Sequence, residues 1–177
     1  MLLQLAFEKT DWTLKTLSVW YVKSPVTIAK DIQLVRNMLK PSCNISWRRK
    51  SGYILTGDEG VIREITLRAL FGLFHKKSLF AISGKKIAPV LDDALFSELV
   101  MPPQDVRFIR DVVYFATGNK STLRSDRLLR LLFQIVISIL RLRNNHKLLD
   151  SRDLKLKGQS GCWIKASKFA SELEMRF

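Results

Sequence analysis

Between Ser125 and Arg143 the chain reads SDRLLRLLFQIVISILRLR, its most hydrophobic stretch, with basic residues at both ends. The apolar run itself, LLFQIVISIL between Arg130 and Arg141, is ten residues long and contains Gln134 and Ser138. A helix of that length covers about 15 Å, half of a hydrocarbon core that needs roughly 20 apolar residues to cross. The pattern therefore predicts a buried helix over roughly 123–143, not a membrane span. Ser125 suits its cap and Asp126 its positive end, while Arg141, Arg143 and Lys147 suit its negative end. Leu128, Leu132, Ile135, Ile139 and Leu142 recur at helical spacing, and Leu131 and Val136 widen the apolar face. The arginines are expected at the rim, where they can face a partner.

Other segments are read in the same way. LKTLSVWYV, Leu14 to Val22, is rich in β-branched and aromatic residues and predicts a strand. Ser24, Pro25 and Pro41 then punctuate a helix whose apolar stripe is Ile28, Ile32, Val35 and Leu39. Residues 44–60 alternate weakly around Ser51-Gly52 and Gly57-Asp58-Glu59-Gly60 and predict two strands or one hairpin. VIREITLRALFGLFHKK fits neither period cleanly, and Gly72 weakens a helix there. LDDALFSELV predicts a short helix before Pro102-Pro103, and DVRFIRDVVYFATGN a strand ending at the turn Gly118-Asn119. LKLKGQSGCWIKAS, residues 154–167, predicts a hairpin, and the tail after it a final short helix. This order implies an α+β fold: a single domain over 1–177 with a twisted antiparallel sheet packed against two or three helices.

Composition supports one folded domain. The chain has 177 residues, 47% of them hydrophobic, which is enough for a sizeable core and too apolar for disorder. Thirty Lys and Arg against sixteen Asp and Glu leave a net charge of +14. That excess points to an anionic partner: nucleic acid, an acidic membrane face or an acidic protein. The start MLLQLAFEKTDW lacks the basic region of a secretory signal. Cys43 and Cys162 make no disulfide framework and are expected as thiols.

The positive chemical signal is basic and partly aromatic. The clusters are Arg48-Arg49-Lys50, Lys76-Lys77 beside Phe74, Lys85-Lys86, the helix rim with Arg124, Arg127, Arg130, Arg141 and Arg143, and Lys155, Lys157, Lys165 and Lys168 in and after the last hairpin. Trp47 precedes the first cluster and Trp163 stands two before Lys165. Phosphate contacts combined with stacking suit single-stranded nucleic acid. The same residue types suit an anionic membrane interface. Each cluster alone is also consistent with a solvated face, and each tryptophan with core packing. LFGLFHKKSLF, Leu70 to Phe80, is either an exposed membrane-dipping loop or a buried strand or helix ending in a polar turn.

The search for catalysis is negative. His75 and His146 have no metal-type partner at helical spacing. ATGNKST fails as a phosphate loop, because Asn119 separates Gly118 from Lys120 and Val113 stands where the first glycine is required. Asp92-Asp93 is better explained by helix capping than by acid–base work. No cofactor is implied, and no enzyme is expected.

The C-terminal part resembles the matrix proteins of rhabdoviruses, the small plant-virus type in particular. The residues that carry the resemblance are KGQSGCWIKAS: a helix, a short strand, Ser160-Gly161, one small residue, Trp163 and a final strand. The specific part covers about 15 residues. The N-terminal order of strand, polar break at Lys23-Ser24-Pro25 and amphipathic helix is similar. The resemblance implies a non-enzymatic α+β protein of the virion, between envelope and nucleocapsid, and of the host cytoplasm and inner membrane face. It implies self-association and binding to the nucleocapsid, an anionic lipid membrane and a viral glycoprotein tail. The chain departs from the animal-virus pattern by lacking the long Lys- and Pro-rich tail with its P-P-x-Y motif, since Pro102-Pro103 is followed by Gln104-Asp105. The second reading is an RNA-binding structural protein of a ribonucleoprotein, such as an organellar ribosomal subunit. A third, weaker one is a nucleic-acid enzyme subunit without a site of its own.

Overall fold

The computed structural model describes residues 1–8, 11–39, 41–81, 100–116, 125–146 and 170–177. In chain order its elements are α1 (Leu2–Phe7), α2 (Leu14–Tyr21), α3 (Pro25–Leu39), β1 (Cys43–Arg48), β2 (Gly52–Gly57), α4 (Glu59–Ala81), α5 (Pro103–Ala116) and α6 (Ser125–Arg143). A last helical turn follows over residues 170–174. The fold mixes helix and strand, with helix dominant among the described residues.

The first expected strand is a helix. Thr13 and Thr16 form a reciprocal cap: Thr16 N–H donates to Thr13 Oγ1 at 3.2 Å, and Thr13 N–H donates to Thr16 Oγ1 at 2.8 Å. Leu17 is buried, and Leu14, Trp20 and Tyr21 pack against the core. That is a period of three to four, which overrides the β-propensity of the segment. Helix α3 starts as its punctuation predicts, with Thr27 N–H donating to Ser24 Oγ at 3.1 Å, and its stripe faces the core as expected.

Strands β1 and β2 form the expected hairpin, pairing Cys43 with Gly57 and Arg48 with Gly52. Gly52 has a φ of +68°, and a Cβ there would lie 2.4 Å from the Trp12 carbonyl oxygen. This close approach lets Trp12 accept a 2.7 Å hydrogen bond from Tyr53 N–H and sit beside the hairpin edge. Among the described residues the sheet has two strands. The hairpin expected over 154–167 lies outside them, as does the short helix expected at Leu91 to Val100, save its last residue.

Helix α4 resolves the ambiguous segment. Asp58 caps it, accepting from Val61 N–H at 2.9 Å, and Ile62, Thr66, Leu67 and Leu70 are buried. The second expected strand is also a helix, α5, begun by Pro103 and burying Val106, Ile109, Val112 and Val113. Its apolar positions recur at three and four, and its β-branched content hides that period.

Helix α6 is the predicted buried helix, though turned from the expected orientation. Leu129, Leu132, Phe133, Val136, Ile137 and Leu140 are buried, whereas Ile135 and Ile139 are half-buried and Leu142 is exposed. The helix is apolar on two sides, and packing against α4, α1 and α5 selects the first of them. Its other side faces Leu173 and Phe177 of the last turn across a groove of about 540 Å³. Among the described residues, no helix is long and apolar enough to cross a membrane.

Candidate anionic-surface contacts

The hairpin tip is the best-defined basic site. Ile45 and Trp47 stand on one face of β1, paired with Leu55 and Tyr53 of β2. Ile45 and Leu55 are buried, but the core ends before the tip, leaving Trp47 58% exposed. Arg48, Arg49 and Lys50 follow, all exposed, around a turn closed by Ser51 N–H donating to Arg48 O at 3.2 Å. None of the three cations has an ion-pair partner among the described residues. The tip is held from behind by Arg36 of α3, whose Nε and Nη2 donate to Ile45 O at 3.2 and 2.9 Å. A two-stranded arm thus presents one large aromatic and three adjacent positive charges to solvent.

The other expected contact residues are less completely placed. Leu70 to Phe80 is helix α4, not a loop; Leu70 is buried and Phe71 stacks edge-on against Phe133 at 5.5 Å. Phe74, Lys76 and Lys77 lie on its last turns, and their side chains fall outside the described part. Arg127 is exposed on the first turn of α6. Lys85, Lys86, Arg124, Lys155, Lys157, Lys165 and Lys168 lie outside the described residues.

The rim expectation fails at Arg141, which is fully buried. Its Nε and Nη2 donate to both carboxylate oxygens of Glu59 at 3.0 and 2.6 Å, while Nη1 donates to Ala6 O at 2.7 Å and Glu8 Oε1 at 3.2 Å. Arg63 donates to Glu59 Oε1 at 2.8 Å, to Ser138 Oγ at 3.2 Å and to His146 O at 3.1 Å. His146 Nε2 lies 2.8 Å from Glu8 Oε1, and Asn144 donates to Phe7 O at 2.8 Å. Burial alone would push the Glu59 carboxyl up, but hydrogen bonds and charge from Arg141 and Arg63 take it below its ordinary value. This network joins the end of α1 to the start of α4 and the end of α6. Its cations are consumed by internal carboxylates, so it offers nothing to an external anion. Sequence spacing carries no signal for it, because its partners lie as far as 138 positions apart.

Cys43 is buried, and burial raises its thiol pKa. Among the described residues no cluster of His, Cys, Asp and Glu has the makings of a metal site. Compared with known proteins, the chain matches no family model, no curated protein and no solved structure.

Proposed function

We propose that this chain is a non-enzymatic, matrix-type structural protein that docks on polyanionic surfaces and organises an assembly beneath a membrane. The observation that carries the reading is the hairpin tip, where exposed Trp47 stands beside three cations without an ion-pair partner among the described residues, in a chain of net charge +14. In this reading a single basic α+β domain self-associates, binds and condenses a viral nucleocapsid, and links it to an anionic membrane and a glycoprotein tail during budding. The protein would then be found in the virion between envelope and nucleocapsid, and at the host cytoplasm and inner membrane face.

Physical scale favours a real contribution from the tip. Each basic residue near an anionic leaflet adds about 1 kcal/mol, so three together are worth about 100-fold in affinity. The test is co-flotation of the purified protein with anionic vesicles, with and without excess single-stranded RNA. The expected result is flotation that RNA does not abolish, and that falls by about 100-fold on replacing Arg48, Arg49 and Lys50 with Gln.

The second reading is an RNA-binding structural protein of a ribonucleoprotein. The exposed ring of Trp47 beside the same cations favours it, since a base stacks on such a ring as readily as lipid surrounds it. Complete stripping by RNA, or no flotation at all, puts this reading first.

A further inference from the structure

Helix α3 is apolar on two sides. Ile28, Ile32 and Leu39 are buried, and Val35 packs against the same core. On the opposite side Val26, Lys30, Leu34 and Met38 follow at intervals of four and so form one ridge along the helix. Val26 is 65% exposed, Leu34 61% and Met38 76%. On the preceding helix and its turn, Val19 is 74% exposed and Val22 92%. Single apolar side chains on a surface are ordinary. Here five fall on two consecutive, mutually packed helices and the turn between them, which makes this corner a candidate interaction surface.

Val22 strengthens the point. It ends α2 with a φ of 53°, in the left-handed region where glycine or asparagine is the usual choice. A β-branched side chain is strained there, and this one reaches solvent instead of the core. Neither helix capping nor internal packing accounts for a valine at this position.

Charge selects the occupant. Lys15, Lys23 and Lys30 are exposed on the same two helices and turn. The described acids there are Asp11 and Asp31, and Asp31 is paired with Lys23 at 2.9 Å. A second copy would bring the lysines, and a net charge of +14, against their own kind. An anionic bilayer is complementary to both the charge and the apolar ridge. We propose that the α2–α3 corner is a lipid-inserting surface: Val19, Val22, Val26, Leu34 and Met38 enter the acyl boundary, while Lys15 and Lys30 stay with the lipid phosphates. This rests on the membrane half of the function proposed above, but it uses a surface distinct from the hairpin tip.

The test is flotation of the full chain with phosphatidylserine-containing vesicles at about 0.15 M and about 1 M salt, which screen charge over about 8 and 3 Å. Wild-type protein is expected to stay partly bound at the higher salt. L34Q/M38Q should bind about tenfold more weakly at low salt and not at all at high salt, with an unchanged circular dichroism spectrum. V22G should melt higher, through relief of backbone strain, and yet bind less well, a combination that a merely structural valine does not produce. If both variants bind with wild-type affinity and salt resistance, the ridge is not a lipid surface, and the hairpin reading stands alone. If L34Q/M38Q alters only the oligomeric state of the free protein, the ridge is a self-contact and the proposal fails. If the wild-type protein does not bind anionic vesicles at low salt, the membrane reading falls together with this one.

Discussion

Arg141 and Glu59 meet in the core through two parallel hydrogen bonds, Nε to Oε1 at 3.0 Å and Nη2 to Oε2 at 2.6 Å. The guanidinium has no solvent exposure, and its remaining Nη1 is taken by Ala6 O and Glu8. Removing such a cation strands its carboxylates. Arg141→Met is therefore expected to lose about 3–5 kcal/mol of stability. Arg141→Lys keeps the charge but not the fork, and should lose about 1.5–3 kcal/mol. Urea denaturation of the two variants checks both the size and the order.

The same pair gives the fold an acid-sensitive component. The Glu59 carboxyl is held below its ordinary value of about 4.3. The folded state thus binds that proton less tightly than the unfolded state does. The stability it contributes is complete above the unfolded value and is lost as pH falls through the folded one. The melting temperature should drop on acidification in that window, and Glu59→Gln should flatten the part of the drop that this group causes. Parallel curves for the two proteins would show that other groups carry the acid response.

Gly72 stands exposed in the interior of α4, and a Cβ added there meets nothing within 4 Å. No close approach requires the glycine, so Gly72→Ala should stabilise the protein by about 0.5–1 kcal/mol. Gly52 is the opposite case, with positive φ and the Trp12 backbone against its Cα. Gly52→Ala should cost more than 1 kcal/mol through strain and lost packing. Thermal melts of the two variants should shift in opposite directions.

The two apolar sides of α6 differ in what they tolerate. Leu132 is fully buried, whereas Ile135 opens on the groove shared with Leu173 and Phe177. Leu132→Asp should abolish folding, because the carboxylate has no partner in the core. Ile135→Asp should leave a folded but weakened protein whose last turn is looser, as seen by faster proteolysis near residue 170. Equal damage from both would mean that the groove is as closed as the core.

Helices α3 and α6 and the β1–β2 hairpin were legible because their signals are local: Ser24-Pro25 at a helix start, Ser51-Gly52 at a turn, and a long apolar run between arginines. Helices α2 and α5 look like strands in the sequence because Val, Trp, Tyr and Phe favour strands by propensity, while Leu14, Leu17 and Trp20, or Val106, Ile109 and Val113, keep a helical period. In both segments the helical period outweighs the strand-favouring composition. The basic hairpin tip was visible as Trp47-Arg48-Arg49-Lys50, and the structure adds that the tryptophan is exposed. Arg141 looked like a rim residue because its helix ends two positions later. Its burial depends on carboxylates from two distant segments, which no local pattern announces. The exposed ridge of α3 is hidden in the sequence because its core stripe alone already accounts for a helical period.

The clamp between α1 and α6 also sets a timetable. The carbonyl of Ala6 waits for a donor 135 positions downstream. A ribosome adding about 5–20 residues per second needs roughly 7–27 s to cover that interval. Throughout it Leu3, Leu5 and Phe7 have been made, and β2 and α4 can pack on them, while α6, which completes their enclosure, has not. The newborn chain spends those seconds with this apolar segment only partly covered, a period in which a holding chaperone, or early contact with an acceptor surface, bears on how much protein reaches its finished form.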